Sequence, residues 1–428
     1  MSARGGVAGR MSRATIEILR DNLTLIPFVT AGGLAAAGFQ VFLSRTLEKT
    51  VYGETFVVLG VLSVLGASTL VIQTVLARSS ARLFALERLA DMRLAAWTAG
   101  RRLTIAAILL TAILAALTPL LVRALQLTSP WPMLVAAVGA GLGLVEPLFR
   151  GITQGARDFV AHGAVVAMHG FGRLGVGAVG VLAGGGSTGA LLAGPGGALA
   201  AIGTGVVALR RLLRGDSEPA HAASSSEPAW VHIRVGLIVT IMVAMLHLDG
   251  LTMRVFHPPD VAADYAVLAV IGRMVYWSGI TIGLVLLPFV VQAATRGEDY
   301  VRAYLISVSL MVFAGSIVAV VVLLRPEFVY GVAFRDEYTL NTTLLPMYVA
   351  AAAMLAIATM TASLHIGASN LRVWIPLAVL VVATLVALAV AHESARQVVT
   401  VILVADAVAF VYLVGEAALL TRRRPAPA

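Results

Sequence analysis

The sequence predicts an all-α polytopic membrane protein with about twelve transmembrane helices in two pseudo-symmetric six-helix bundles around a central cavity. Three observations lead there. The 428 residues are 59% hydrophobic and only 12% charged, with a mean hydropathy of +0.93, which is too apolar for a chain folding around one water-surrounded core. The apolar residues fall into runs close to the roughly 20 residues that span a bilayer. The chain also repeats itself: Tyr52 and Gly66 match Tyr265 and Gly279 at an offset of 213, and Gly155-Ala156-Arg157-Asp158-Phe159 matches Gly367-Ala368-Ser369-Asn370-Leu371 at 212. Identities this sparse gain weight from a shared offset close to half the chain length, and they mark a tandem duplication. In membrane proteins such repeats are the signature of moving transporters.

The first run, 22–43, follows a basic start (Arg4, Arg10, Arg13) with no small-residue cleavage site behind a short apolar core, so it is expected to stay as a helix. The next five runs lie at 53–77, 103–124, 131–152, 159–183 and 188–210. The ends of the last two are blurred by Gly184-Gly185-Gly186-Ser187 and Gly194-Pro195-Gly196-Gly197, which lower helix propensity. The second set lies at 232–255, 264–292, 302–324, 340–366, 371–391 and 397–420. Pro27, Pro147, Pro288, Pro346 and Pro376 sit within spans, where a missing N–H frees a carbonyl and bends the helix.

Charge orients the chain. With alternate loops assigned to opposite sides, 22 of the 31 Lys and Arg residues fall on one face, seven fall on the other, and Arg173 and Arg273 lie within spans. The positive-inside tendency then places both termini in the cytoplasm of a cell whose inner membrane holds the protein. The net charge of +9 is thereby read as topology and gives no reason to expect nucleic acid as a partner. The segment Arg78 to Arg102 is predicted as an Arg-rich amphipathic connector lying on the anionic inner leaflet. Gly215 to Pro228, with Ser224-Ser225-Ser226, reads as a flexible linker. The expected organisation is an N-terminal bundle at 1–214, a cytoplasmic linker at 215–229 and a C-terminal bundle at 230–428. Six helices per copy make the second bundle enter in the same direction as the first, around an axis along the membrane normal.

Leu43-Ser44-Arg45-Thr46-Leu47, followed by Tyr52-Gly53 and a long apolar helix, resembles the opening of polysaccharide-export flippases of the multidrug, oligosaccharidyl-lipid and polysaccharide transporter superfamily. Asp249 late in the seventh span, Asp264-Tyr265-Ala266 at the start of the eighth and Pro288 near its inner end, within GLVLLPFVVQAATR, continue the resemblance. It covers most of the chain through loose motifs. It implies two six-helix lobes that move polyprenyl-diphosphate-linked oligosaccharides between leaflets for surface polysaccharide biosynthesis. Polysaccharide polymerases or glycosyltransferases would then be partners, besides the bilayer itself. Twelve spans fit this chain better than the fourteen of the peptidoglycan-precursor branch.

Ionisable groups at membrane depth are functional candidates because an unpaired charge there is costly. Arg273 lies nine residues inside the eighth span and Asp249 seven residues from the outer end of the seventh, about 13 Å and about 10 Å deep at 1.5 Å per residue. They can therefore meet as a structural ion pair, as a substrate-binding pair, or as a gate that is both. The first copy has Gly60 where the second has Arg273, so the repeat is asymmetric in charge. His169 and Arg173, four apart in the fifth span, form a cationic stripe suited to phosphate oxygens, or satisfied by backbone carbonyls or by Glu146. Glu146 and Arg150, also four apart, read as a local salt bridge. Gln40 and Gln73 suit sugar hydroxyls or helix packing. Asp249 and Asp406 are the candidates for coupling to a cation or proton.

Zero cysteines exclude disulfides and thiolate chemistry, and the chain holds no nucleophile with a base, no HxxxH and no GxxxxGK[ST] phosphate loop. No catalytic residue, metal site or cofactor is expected. The alternative within the same fold is a cation- or proton-coupled multidrug or small-solute antiporter, which Asp249 and Asp406 allow but a cationic cavity disfavours. A membrane glycosyltransferase or polymerase is disfavoured by short outer loops, the richest being 325–338 with Glu327, Asp336 and Glu337.

Overall fold

The computed structural model describes residues 3–124, 127–214, 227–333 and 340–422. Most of the predicted linker, part of the 325–338 loop and the last basic residues, Arg423 and Arg424, lie outside them. The described chain is helical, without strands, in the order α1 (Ala3–Thr46), α2 (Lys49–Ala85), α3 (Leu89–Ala124), α4 (Trp131–Gly155), α5 (Phe159–Leu182), α6 (Gly186–Leu191) and α7 (Ala193–Leu212). The second set is α8 (Ala229–Phe256), α9 (Pro259–Arg296), α10 (Val301–Leu324), α11 (Pro326–Ala333), α12 (Leu345–Gly367), α13 (Trp374–Val390) and α14 (Ala395–Arg422). Among the described residues eleven helices are long and apolar enough to cross a membrane, with α6 and α7 counted as one span, and α2 covers the predicted second span.

The duplication is visible in the helix boundaries. The helices α3 and α10 begin 212 residues apart and α4 and α12 begin 214 apart, matching the sequence offset. Helix ends follow local chemistry. The Asp158 side chain accepts from the Ala161 backbone N–H at 3.0 Å to cap α5. Gly184 and Gly186 take φ values of +84° and +52° in the turn that ends it. Pro195 sits in the first turn of α7, where its missing N–H has no intrahelical partner to lose.

The predicted amphipathic connector over 78–102 takes another form. Here α2 and α3 run as helices of 37 and 36 residues joined by a three-residue turn, so the arginines extend two spanning helices instead of forming a separate helix. At 1.5 Å per residue each is about 55 Å long, well beyond the roughly 30 Å hydrocarbon core. The left-handed backbone at Glu87 (φ 57°) makes the reversal.

Two compact units emerge, one of Arg20–Pro228 and one of Met1–Leu19 with Ala229–Ala428. In the first, α4 packs on α2, α3 and α7, and α5 packs on α7. Met133 and Ala136 meet Val58 and Leu191 in one core, while Met92, Phe149 and Ile152 form another. The Arg-rich ends of these helices are tied together: Arg157 binds Asp21 at 2.7 Å, Arg93 donates to the Leu213 carbonyl at 2.8 Å, and Glu227 pairs with both Arg78 and Arg82. At the opposite end Glu54 accepts from the N–H and hydroxyl of Thr128. In the second unit α9 and α12 are central and mostly buried, whereas α10 is peripheral and mostly exposed. The exposed residues of α10, including Phe313, Ile317 and Val320, are those expected to face lipid.

Candidate functional site

Two polar constellations lie in the apolar interior, one in each unit. The first lines a cavity of about 510 Å³ within the Arg20–Pro228 unit. Gln40 of α1, Ser68, Thr69 and Gln73 of α2, Glu146 and Arg150 of α4, and His169 and Arg173 of α5 all contribute to its wall. Consecutive helices α4 and α5 run antiparallel through a short turn at 156–158, so a residue nine positions before the end of α4 lies level with one ten positions into α5. Those residues are Glu146 and His169. Four-residue spacing then puts Arg150 beside Glu146 and Arg173 beside His169 on the same faces.

The contacts follow from that register. His169 Nδ1 lies 2.8 Å from Glu146 Oε2, and Arg150 pairs with the same carboxylate. Gln73 Nε2 donates to Gln154 Oε1 at 2.9 Å, so this candidate also supports helix packing. Arg173 has neither a hydrogen bond nor an ion pair within 4 Å among the described residues, although it feels the Glu146 charge. It is carried by Gly197 of α7: a Cβ at that position would stand 2.5 Å from Arg173 Cγ, so only glycine leaves room for the arginine stem. Pro147 removes the donor for the Gly143 carbonyl, and both residues line the cavity.

The second constellation surrounds Asp249 of α8, which is 1% exposed. It accepts from Arg273 Nη2 at 2.6 Å, from the Tyr265 hydroxyl at 3.1 Å, and from the Tyr348 hydroxyl of α12. The Tyr348 ring reaches it by lying on Gly272, where a Cβ would stand 2.3 Å from the ring. Asp406 of α14, also 1% exposed, has a buried Oδ1 without a partner and feels the charges of Asp249 and Arg273. Among the described residues no three His, Asp or Glu side chains converge as metal ligands.

Of the sequence candidates, Gln40, Gln73, His169 and Arg173 share the cavity, whereas Arg273, Asp249 and Asp406 cluster in the second unit. Glu146 and Arg150 do form the salt bridge their spacing suggests, and they also line the cavity, which spacing alone did not show. Glu146 satisfies His169 but leaves Arg173 without an ion pair. Tyr265 and Tyr348 were not singled out as partners of Asp249. Tyr265 stood out as a repeat identity and within Asp264-Tyr265-Ala266, and Tyr348 carried no signal.

These features define a class: a polytopic helical bundle built from duplicated halves with charged groups in its interior. No family model and no curated protein matches the sequence, but the fold is that of MATE transporters of the MOP superfamily. The outward-facing structure of a multidrug resistance MATE family transporter superposes with a TM-score of 0.77 at 13% identity, covering 96% of this chain and 97% of that one. A MOP superfamily transporter from Pyrococcus furiosus, whose binding pocket is described as having reverse polarity that suggests a different function, gives 0.71 at 14% identity over 97% of each chain. The MATE transporter ClbM in complex with Rb⁺ gives 0.71 at 15% identity over 97% of this chain and 95% of that one.

Proposed function

We propose that the protein is a transporter carrying a polyprenyl-diphosphate-linked oligosaccharide across the cytoplasmic membrane by alternating access, without covalent chemistry. The observation that supports this most is Arg173: a guanidinium with no ion pair among the described residues, facing a cavity that also holds Arg150 and His169. Guanidinium and imidazole donors suit phosphate oxygens. Gln40, Gln73, Ser68 and Thr69 supply neutral hydrogen-bonding groups suited to sugar hydroxyls. The volume falls in the range of about 300–1,000 Å³ typical of small-ligand pockets, enough for a headgroup while the prenyl chain stays in lipid. The Asp249–Arg273 pair acts in this reading as a gate that a passing diphosphate can open. In this reading both termini lie in the cytoplasm, where glycosyltransferases would supply the substrate.

The test is translocation of a fluorescent lipid-diphosphate oligosaccharide in proteoliposomes. Arg173→Ala and Arg273→Ala are each expected to abolish it while leaving membrane insertion intact. Undiminished translocation in both variants refutes the reading. A second reading, a cation- or proton-coupled antiporter of drugs or small solutes, is favoured by Asp406, whose buried Oδ1 has no partner among the described residues. Ion-driven efflux of a cationic dye that is lost in Asp406→Asn but kept in Arg173→Ala would select it.

A further inference from the structure

We infer that Glu146 is a built-in competitor for the anion site: it occupies cations that an arriving diphosphate needs, and the diphosphate therefore enters together with a proton taken up by the Glu146–His169 pair. This rests on the anionic-headgroup reading of the cavity.

The argument is one of charge and geometry. Four ionisable side chains line the cavity, and Glu146 contacts two of them, Arg150 and His169. The neighbouring helices α2, α3, α6 and α7 contribute only uncharged groups to the wall, such as Gln73, Leu110, Leu191 and Ala198. Outside the wall, His162 of α5 turns its ring nitrogen to the Arg150 carbonyl at 3.0 Å, and Arg150 also acts on it electrostatically. With His169 neutral, the wall holds two positive charges and one negative. A diphosphate diester carries two negative charges, so one more positive charge is required for balance.

At membrane depth an uncompensated charge is strongly disfavoured, so balance has to come with the ligand. A proton on the Glu146–His169 pair supplies it and does a second thing. It weakens the hold of Glu146 on Arg150, which frees that guanidinium to join Arg173 on the phosphates. Arg173 is thus the standing receptor and Arg150 the conditional one. The proton travels with the substrate instead of against it, and binding weakens as pH rises.

The full-length protein in zwitterionic nanodiscs can be titrated calorimetrically with ethane-1,2-disulfonate, a dianion with no proton of its own near neutral pH. Repeating the titration in buffers of different ionisation enthalpy counts the protons taken up. The expected result is uptake of about one proton by wild type, with affinity falling up to about tenfold per pH unit. Glu146→Gln should bind about tenfold more tightly at pH 8, within the usual size of a coupling between neighbouring sites. The Glu146→Gln/His169→Asn variant should bind with no uptake. Wild-type binding without proton uptake overturns the inference whether or not the variants fold, and so does Glu146→Gln binding no more tightly than wild type. If neither wild type nor Glu146→Gln binds the disulfonate or pyrophosphate, or if Arg173→Ala binds as wild type does, the anionic-headgroup reading itself falls.

Discussion

Replacing Asp249 by alanine tests whether the second constellation holds the helices of its unit together. The carboxylate is 1% exposed and receives three donors from two helices, Arg273 and Tyr265 of α9 and Tyr348 of α12. Without it, the Arg273 side chain, 16% exposed, is left as a buried charge without its ion-pair partner, which costs about 3–5 kcal/mol. The two stranded hydroxyls add less, because hydrogen bonds between membrane helices average only about 0.6 kcal/mol. Arg273→Ala is milder, since both tyrosines still donate to Asp249. The double variant removes both charges, so it should be more stable than the sum of the single losses predicts, by about 1–3 kcal/mol. Unfolding by SDS in mixed micelles, followed by tryptophan fluorescence, measures all four proteins. An Asp249→Ala variant within about 1 kcal/mol of wild type, or strictly additive losses, would refute the reasoning.

Asp406→Asn removes a buried carboxylate whose Oδ1 has no partner among the described residues, so it should leave thermal stability equal or higher. A loss of stability in a melting assay would show that the carboxylate is structurally engaged. Gly272→Ala puts a Cβ within 2.3 Å of the Tyr348 ring and should destabilise the second unit by about 1–3 kcal/mol in the same SDS assay, whereas an unchanged midpoint would show that the ring can move freely. Gly197→Ala, whose Cβ would stand 2.5 Å from Arg173 Cγ, should shift the guanidinium and lower anion affinity several-fold in calorimetry; wild-type affinity would mean that its placement does not depend on this helix contact.

Hydropathy and charge spacing made much of the fold legible. The ends of most spans agree with the helices to within a few residues because the bilayer requires a continuous apolar run wherever the backbone crosses it. Helix α9 begins at Pro259, five residues before the apolar run at 264, because a proline at a helix start extends the helix beyond the apolar residues. In the Arg-rich segment 78–102 charge periodicity does not distinguish a helix lying on the membrane from one continuing through it, and only the structure shows α2 and α3 carrying it. In the site, His169 and Arg173 were recognisable as one stripe because four-residue spacing fixes a shared face.

The amino-acid sequence by itself determined the membrane class, the duplicated halves, the number and order of spans, and the set of intramembrane charges, because each depends on properties that add up along the chain. The tertiary structure decided which charges meet. Helix rotation and the turn at 156–158 brought Glu146 to His169 and left Arg173 without an ion pair among the described residues. The packing of α9 and α12 brought two tyrosines and an arginine onto Asp249. A helix carries its side chains all around its axis, and only the neighbours it packs against determine which of them turn toward a common cavity.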